Sequence, residues 1–172
     1  MDIKNKTKEI EKLSRVQKIY EHPLFRECLE KNRRAEETRR FCKHDMAHFL
    51  DVARLAYILS MERGWEVPKE QIYAAALLHD IGKWQQYEAG VPHEEAGAFL
   101  AEEILGDTGF SGAEREQILS AIRRHRKRDG AEAEPLAALL YDADKLSRAC
   151  YACPAEPECN WSREKKNLGI GW

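Results

Sequence analysis

The stretch Gln71-Ile-Tyr-Ala-Ala-Ala-Leu-Leu-His-Asp-Ile81 constrains the fold more than any other part of the chain. Its residues are almost all apolar, so as a helix it has no face to give to water and must be surrounded by other elements. Yet it ends on His79 and Asp80, an imidazole and a carboxylate whose desolvation is costly unless they are paired or bind a cation. Taken alone, the pair reads equally well in two ways. It can be a polar helix end, with His favoured by the dipole and Gly82 as the cap, or two ligands of one metal held on a rigid apolar scaffold.

The flanking periodicity is helical. Between Met46 and Met61 the apolar residues Phe49, Leu50, Val52, Ala53, Ala56, Tyr57 and Leu59 recur at helical spacing, and Gly64 and Pro68 mark that helix's end and the next start. His93 to Leu105 repeats the pattern through Ala96, Phe99, Leu100 and Ile104. Ser111 and Glu114 have capping-box spacing ahead of Ile118, Leu119 and Ile122. Pro135 opens a helix with Leu136, Leu139, Leu140 and Leu146 as its stripe. Before His44 the chain predicts charge-rich helices over roughly Thr7–Tyr20 and Leu24–Arg40, broken at His22 and Pro23; after Leu146 the Cys, Pro and Gly spacing predicts a loop-rich tail. No stretch shows strand alternation, and there is no internal repeat. The expected fold class is all-α. A length of 172 residues suits one domain, with an N-terminal helical extension over 1–43, a core over 44–148 and a Cys-containing tail over 149–172.

Composition limits the partners. Lys and Arg number 28 against 30 Asp and Glu, and the net charge of -2 gives no general attraction to nucleic acid or anionic lipid, so any basic site must be local. The first residues lack the apolar stretch of a secretory signal, and the run Tyr73–Leu78 is far too short to span a bilayer, so a cytoplasmic chain without a membrane partner is expected. Five cysteines, an odd number in that setting, argue against a full disulfide framework.

Two more segments carry ligand-type residues. His44-Asp45-Met-Ala-His48 sets two imidazoles one helical turn apart above a buried face, and Asp142-Ala-Asp144-Lys145-Leu146 places two carboxylates in an apolar helix. With these segments the sequence resembles the HD-domain superfamily of metal-dependent phosphohydrolases. The pattern H…HD…D, with Val four residues after the first His, Ala-Leu-Leu-His-Asp-Ile-Gly-Lys and a closing Ala-Asp-Lys-Leu, is met by His48, His79, Asp80 and Asp144 over about residues 44–148. The resemblance implies an HD helical bundle. His93, in Pro-His-Glu-Glu-Ala-Gly-Ala, and His125, in Ala-Ile-Arg-Arg-His, are similar to the extra imidazoles of the dinuclear bacterial HD hydrolases that split diadenosine tetraphosphate. In isolation each reads as a solvated helix-end residue; in company with the other four, the resemblance makes them ligands. It places His44 outside the usual ligand set and Asp142 outside the strict pattern, so His44, Asp45 and Asp142 are expected behind the ligands, where the two aspartates could orient His48 or Lys145.

Four imidazoles and two carboxylates suit Fe, Mn, Co or Mg better than a closed tetrahedral zinc site. The resemblance implies that Asp80 bridges two ions, that His48, His79 and Asp144 hold one, and that His93 and His125 hold the other, with metal-bound water as nucleophile. Asp80 and Lys83 are then the catalytic candidates, and Lys83, Arg124, Arg126, Lys145 and Arg148 the candidates for binding the phosphate. The cationic run from Arg123 to Arg128 reads equally as a solvated helix end, the preferred reading for Lys127 and Arg128.

Cys150, Cys153 and Cys159 have spacing x2 and then x5 and begin six residues after Asp144. With Cys42 as a fourth ligand, and Cys28 a poorer choice, they could hold structural zinc or an iron–sulfur cluster; buried or reactive thiols explain them as well, and both readings stand. The leading functional reading is a phosphohydrolase of a nucleotide or another small phosphate ester or anhydride. The alternative is a non-catalytic sensor or signalling module that keeps a metal and nucleotide site. Ligands at all six positions favour catalysis, and a purely structural helical protein leaves them unexplained. The Gly-Tyr-Pro signature of cyclic-dinucleotide enzymes is absent.

Overall fold

Residues 14–127 and 134–171 are described by the computed structural model. Among them the chain forms eight α-helices and no strand: α1 (Ser14–Glu21), α2 (Pro23–Ala35), α3 (Met46–Glu62), α4 (Lys69–Leu78), α5 (Lys83–Ala89), α6 (His93–Asp107), α7 (Gly112–Arg124) and α8 (Pro135–Leu146). Three short 3-10 turns follow, Cys150–Ala152, Glu156–Glu158 and Arg163–Lys165. The all-α expectation is met. Of the helix expected over Thr7–Tyr20, the part before Ser14 lies outside the described residues, as do Arg128 and Trp172.

The boundaries have local causes. The His22 ring nitrogen accepts from the Leu24 backbone N–H ahead of Pro23, and Asp45 accepts from His48 N at 3.0 Å to start α3. Ser111 and Glu114 form the expected reciprocal capping box on α7. Gly90 ends α5 at φ +69°, a left-handed conformation that glycine adopts without strain.

Helix α4 is the centre, as its sequence demands: Gln71, Ile72 and residues 74–78 are buried. Helices α1, α3, α7 and α8 pack around it, α3 against α8 and α7 against both α6 and α8. Arg15 ties α1 to this core by pairing with Glu70 at 2.6 Å and Glu114 at 2.9 Å. The consequence for function lies in which helix ends meet. His48 is in the first turn of α3, His79 caps the C-terminus of α4, His93 opens α6, His125 caps α7, and Asp144 is in the last turn of α8.

Two boundaries depart from expectation. The α4 segment leaves helical geometry after Leu78, and His79 to Gly82 make a turn into α5, a helix without apolar periodicity to announce it and with no buried residue. That turn needs a glycine: a Cβ on Gly82 would sit 2.5 Å from Gly97 N and 2.8 Å from the Ala96 carbonyl carbon, so the turn presses directly on α6. Helix α2 stops at Ala35 rather than Arg40, because Glu36 turns its carboxylate inward to cap the next segment. No described helix is long and apolar enough to cross a membrane.

Candidate metal centre

The five helix ends bring six side chains together. The ligand-type atoms of His48, His79, Asp80 and Asp144 lie within 4.8 Å of one another, and those of Asp80, His93 and His125 form a second such group, so Asp80 belongs to both. Its two oxygens face different groups. Oδ2 is 3.0 Å from His79 Nε2 and 3.8 Å from His48 Nε2; Oδ1 is 3.2 Å from His93 Nε2 and 3.8 Å from His125 Nε2. Asp144 Oδ1 closes the first group, 3.4 Å from His48 Nε2 and 3.8 Å from His79 Nε2. The centre is buried: His79 is 0% and His125 1% exposed.

Each imidazole has its other nitrogen engaged on the outside. Nδ1 of His79 donates to the Ala76 carbonyl at 2.7 Å and Nδ1 of His125 to the Ile122 carbonyl at 2.6 Å. His93 Nδ1 is held by the Gln86 amide oxygen, and His48 Nδ1 faces Ser147 Oγ at 3.4 Å. With Nδ1 of His93 and His125 engaged on the outside, their Nε2 lone pairs point inward, the orientation that outer partners give metal-binding histidines. His93 Nε2 and His125 Nε2 stand 3.2 Å apart. Burial holds both rings well below the ordinary imidazole range, at about 3 and about 4, so two lone pairs face each other with no proton to share. His79 Nε2, despite its 3.0 Å approach to Asp80, and Asp80 Oδ1 are buried without a hydrogen-bond partner among the described residues. Orphaned inward-facing donors of electron pairs on a carboxylate and imidazoles fit one or two divalent cations.

Electrostatics agree. Burial alone would raise the Asp80 and Asp144 carboxyls, but the surrounding imidazoles, with Lys145 beside Asp144, outweigh it and hold both well below the usual carboxylate range. Burial pulls His79 down, yet Asp80 and Asp144 keep it up at about 10. An excess proton is thus held where a cation would otherwise balance two anions.

The remaining expected residues divide. Lys83 Nζ is 3.3 Å from His93 Nδ1, Lys145 Nζ is 2.5 Å from Asp144 Oδ2, and Arg148 Nη2 is 3.0 Å from His48 Nε2, so three of the proposed phosphate cations border the centre. Arg124 is instead engaged by Glu134 at 2.5 Å, and the half-exposed Arg126 lies 3.3 Å from Glu94. On a helix neighbouring side chains diverge by roughly 100°, so turning His125 inward turns Arg124 away. His44 sits behind the first group, Nε2 3.8 Å from Asp80 Oδ2, and Asp45 acts as the α3 cap. Asp142, expected behind the ligands, accepts from Arg63 at 2.6 Å instead.

Several supporting residues had no signal in the sequence. Glu36 accepts from His44 N at 2.8 Å, holds His44 Nδ1 and accepts from the Tyr87 hydroxyl at 2.7 Å. Asn32, fully buried on α2, donates to the Asp80 carbonyl at 2.9 Å and accepts from Trp84 N at 2.8 Å. Gln86 fixes His93. All act across the fold; only the four-residue spacing of Asn32 and Glu36 on a charged helix hints that one face is shared.

Comparisons with known proteins identify the family. A family model described as the HD domain matches residues 46–149. A protein of Clostridium beijerinckii described as uncharacterized is 46% identical over 142 residues, 83% of this chain and 88% of its own length. The ribonuclease Y of Enterococcus faecalis is 33% identical over 121 residues, 70% of this chain but 21% of its own; that of Lawsonia intracellularis is 33% identical over 109 residues, 63% and 19%. The chain therefore spans about a fifth of the length of those ribonucleases. A crystal structure described as a predicted HD superfamily hydrolase, from an uncultured Thermotogales bacterium, superposes with a TM-score of 0.59 at 27% identity, covering 81% of this chain and 79% of that one.

Proposed function

The chain belongs to the HD domain family, and on that premise we propose that it is a metal-dependent phosphohydrolase acting on a nucleotide or another small phosphate ester or anhydride. The observation that carries the reading is the division of Asp80, one carboxylate oxygen toward His79 and His48 and the other toward His93 and His125. In this reading His48, His79, Asp80 and Asp144 hold one divalent ion, and Asp80, His93 and His125 a second. Bound there, the ions supply Lewis-acid polarisation of a phosphoryl oxygen and a water of lowered pKa.

The chain's own residues do the rest. Lys83 and Lys145, on opposite sides of Asp80, bind the non-bridging phosphate oxygens and stabilise charge that grows on them during displacement. Arg148 turns from His48 to the phosphate, since its Nη2 now takes the lone pair that a cation needs and its buried Nε has no partner. Glu36 fixes the His44 ring so that its Nε2 faces Asp80 Oδ2 and steadies that carboxylate. The apolar walls built by α4 and the inward helix ends exclude bulk water and strengthen each of these interactions.

The test is a phosphate-release screen over nucleoside mono-, di- and triphosphates, dinucleoside polyphosphates and a short RNA, with added Mn, Co or Mg. RNA is included because of the names of the ribonuclease relatives. Release that needs the ion, and that Asp80→Ala abolishes, supports the reading. Nucleotide binding without turnover by both proteins would replace it with a sensor.

A further inference from the structure

Four of the five cysteines meet at a second place. Cys42, from the segment before α3, and Cys150, Cys153 and Cys159, from the tail, line one cavity of about 280 Å3 beside the His48 end of the metal centre. All four are free and half-buried, whereas Cys28 lies alone in the core. Burial raises the Cys42 thiol, the other three cysteines push it the same way, and Arg148 pulls it down, so all four are within electrostatic reach of one another. Arg40, Arg148 and Lys166 line the same cavity, with Phe41 and Trp161 beside them. Four thiols with no disulfide between them thus line one cavity, with the Arg148 guanidinium beside them.

We propose that Cys42, Cys150, Cys153 and Cys159 ligate an iron–sulfur cluster. Spacing decides between a cluster and a single ion. Around tetrahedral zinc the Zn–S bonds of about 2.3 Å bring thiolate sulfurs to about 3.8 Å from each other. Among the described residues, the groups whose ligand atoms close to within 4.8 Å are the two His and Asp groups, and no cysteine belongs to either. The four cysteines instead line a common cavity, which a cluster would fill with its own irons and sulfides. Of the charged residues that line the cavity, Lys166 pairs with Glu156 and Arg40 with Glu158, which leaves Arg148 nearest to offset the cluster's negative charge.

The tail supplies an independent reason for such a staple. Among residues 149–171 only Ala155 is buried, and the segment is otherwise held by polar contacts, chiefly Asn167 Nδ2 to the Lys145 and Arg148 carbonyls at 2.8 and 2.9 Å and Lys166 to Glu156 at 2.8 Å. A segment without an apolar core of its own gains its order from an inorganic one. The cluster also brackets Arg148: Cys150 follows it by two residues, and Cys42 precedes Lys43, whose carbonyl accepts from Arg148 Nη1 at 3.2 Å. It thereby anchors the backbone that carries Arg148, whose Nη2 reaches His48.

The experiment is purification of the full chain without oxygen, followed by assay of iron, zinc and acid-labile sulfide and by visible absorption. The expected result is iron with labile sulfide and a sulfide-to-iron charge-transfer absorption, lost in Cys153→Ser and Cys42→Ser and kept in Cys28→Ser. Labile sulfide should also persist in Asp80→Ala, which separates this site from the His and Asp centre and from its proposed activity. Should a Cys→Ser variant fail to fold, the wild-type sulfide content still decides. Zinc without labile sulfide, or no labile sulfide even after reconstitution with iron and sulfide, overturns the proposal.

Discussion

Removing the amide of Asn32 tests how the turn carrying His79 and Asp80 is held. Asn32 is completely buried and makes two hydrogen bonds, donating to the Asp80 carbonyl at 2.9 Å and accepting from Trp84 N at 2.8 Å. The two losses in Asn32→Ala are unequal. The Asp80 carbonyl keeps a second donor, Lys83 N at 3.1 Å, so that side forfeits only a net hydrogen bond of about 1 kcal/mol. Trp84 N lies in the first turn of α5, where no carbonyl of its own helix can reach it, and stranding it costs about 1–3 kcal/mol. The sum is about 3 kcal/mol, which for a chain of this length lowers Tm by about 6–12 °C. Urea denaturation would give the free energy and calorimetry the Tm. Asn32→Asp keeps an acceptor for Trp84 N but sets a carboxylate oxygen against the Asp80 carbonyl, and should destabilise at least as much. If Asn32→Ala cost less than about 1 kcal/mol, as an ordinary surface change does, the reasoning that Asn32 holds this turn would be refuted.

Other consequences follow from neighbouring contacts. Gly82→Ala forces a methyl onto backbone atoms of Ala96 and Gly97 that cannot rotate away; it should cost about 3 kcal/mol or more and weaken Mn binding, both readable by thermal titration. Lys83→Met should retain metal while lowering kcat/KM for phosphate release by about 100-fold, as loss of one fixed charge at a phosphoryl group does. Arg15 holds the Glu114 carboxyl down at about 2, below its ordinary 4.5, so the pair's contribution is full above pH 4.5 and fades as pH falls toward 2. The stability difference between wild type and Arg15→Ala should narrow over that window and stay flat above it. Asp142→Asn should leave Mn affinity unchanged and Asp144→Asn should lower it by at least 10-fold, since only Asp144 faces the imidazoles.

What could be read in the sequence was what repeats or what burial makes expensive. The apolar run ending at His79 and Asp80 announced a central helix with a polar terminus, and Asp144 stood out as a carboxylate in an apolar stripe. Pattern singles out the segments of His48, His79, Asp80 and Asp144, near helix ends where caps and breaks leave a trace, whereas His93 and His125 read as solvated helix ends until the family resemblance is added. Residues that act through tertiary contact left none. Asn32 and Glu36 lie on a helix that reads as a solvated charge-rich surface, and their carboxamide and carboxylate turn inward only because α2 crosses the start of α5. Helix α5 itself buries no residue and so has no periodicity to betray it. Arg124 and Asp142 show the converse effect. Sequence distance from a ligand does not give direction around a helix, and each side chain points to a partner, Glu134 or Arg63, that pattern does not reveal.

The central claim is that Asp80 joins two ion sites. Isothermal titration of the metal-stripped full chain with Mn, a hard ion that thiolates do not favour, measures this without reference to any substrate. The account predicts two sites in the wild type, one remaining in His93→Ala and none in Asp80→Ala, with each variant folded by circular dichroism. Mn binding that is undiminished in Asp80→Ala, or absent from the wild type, would contradict it.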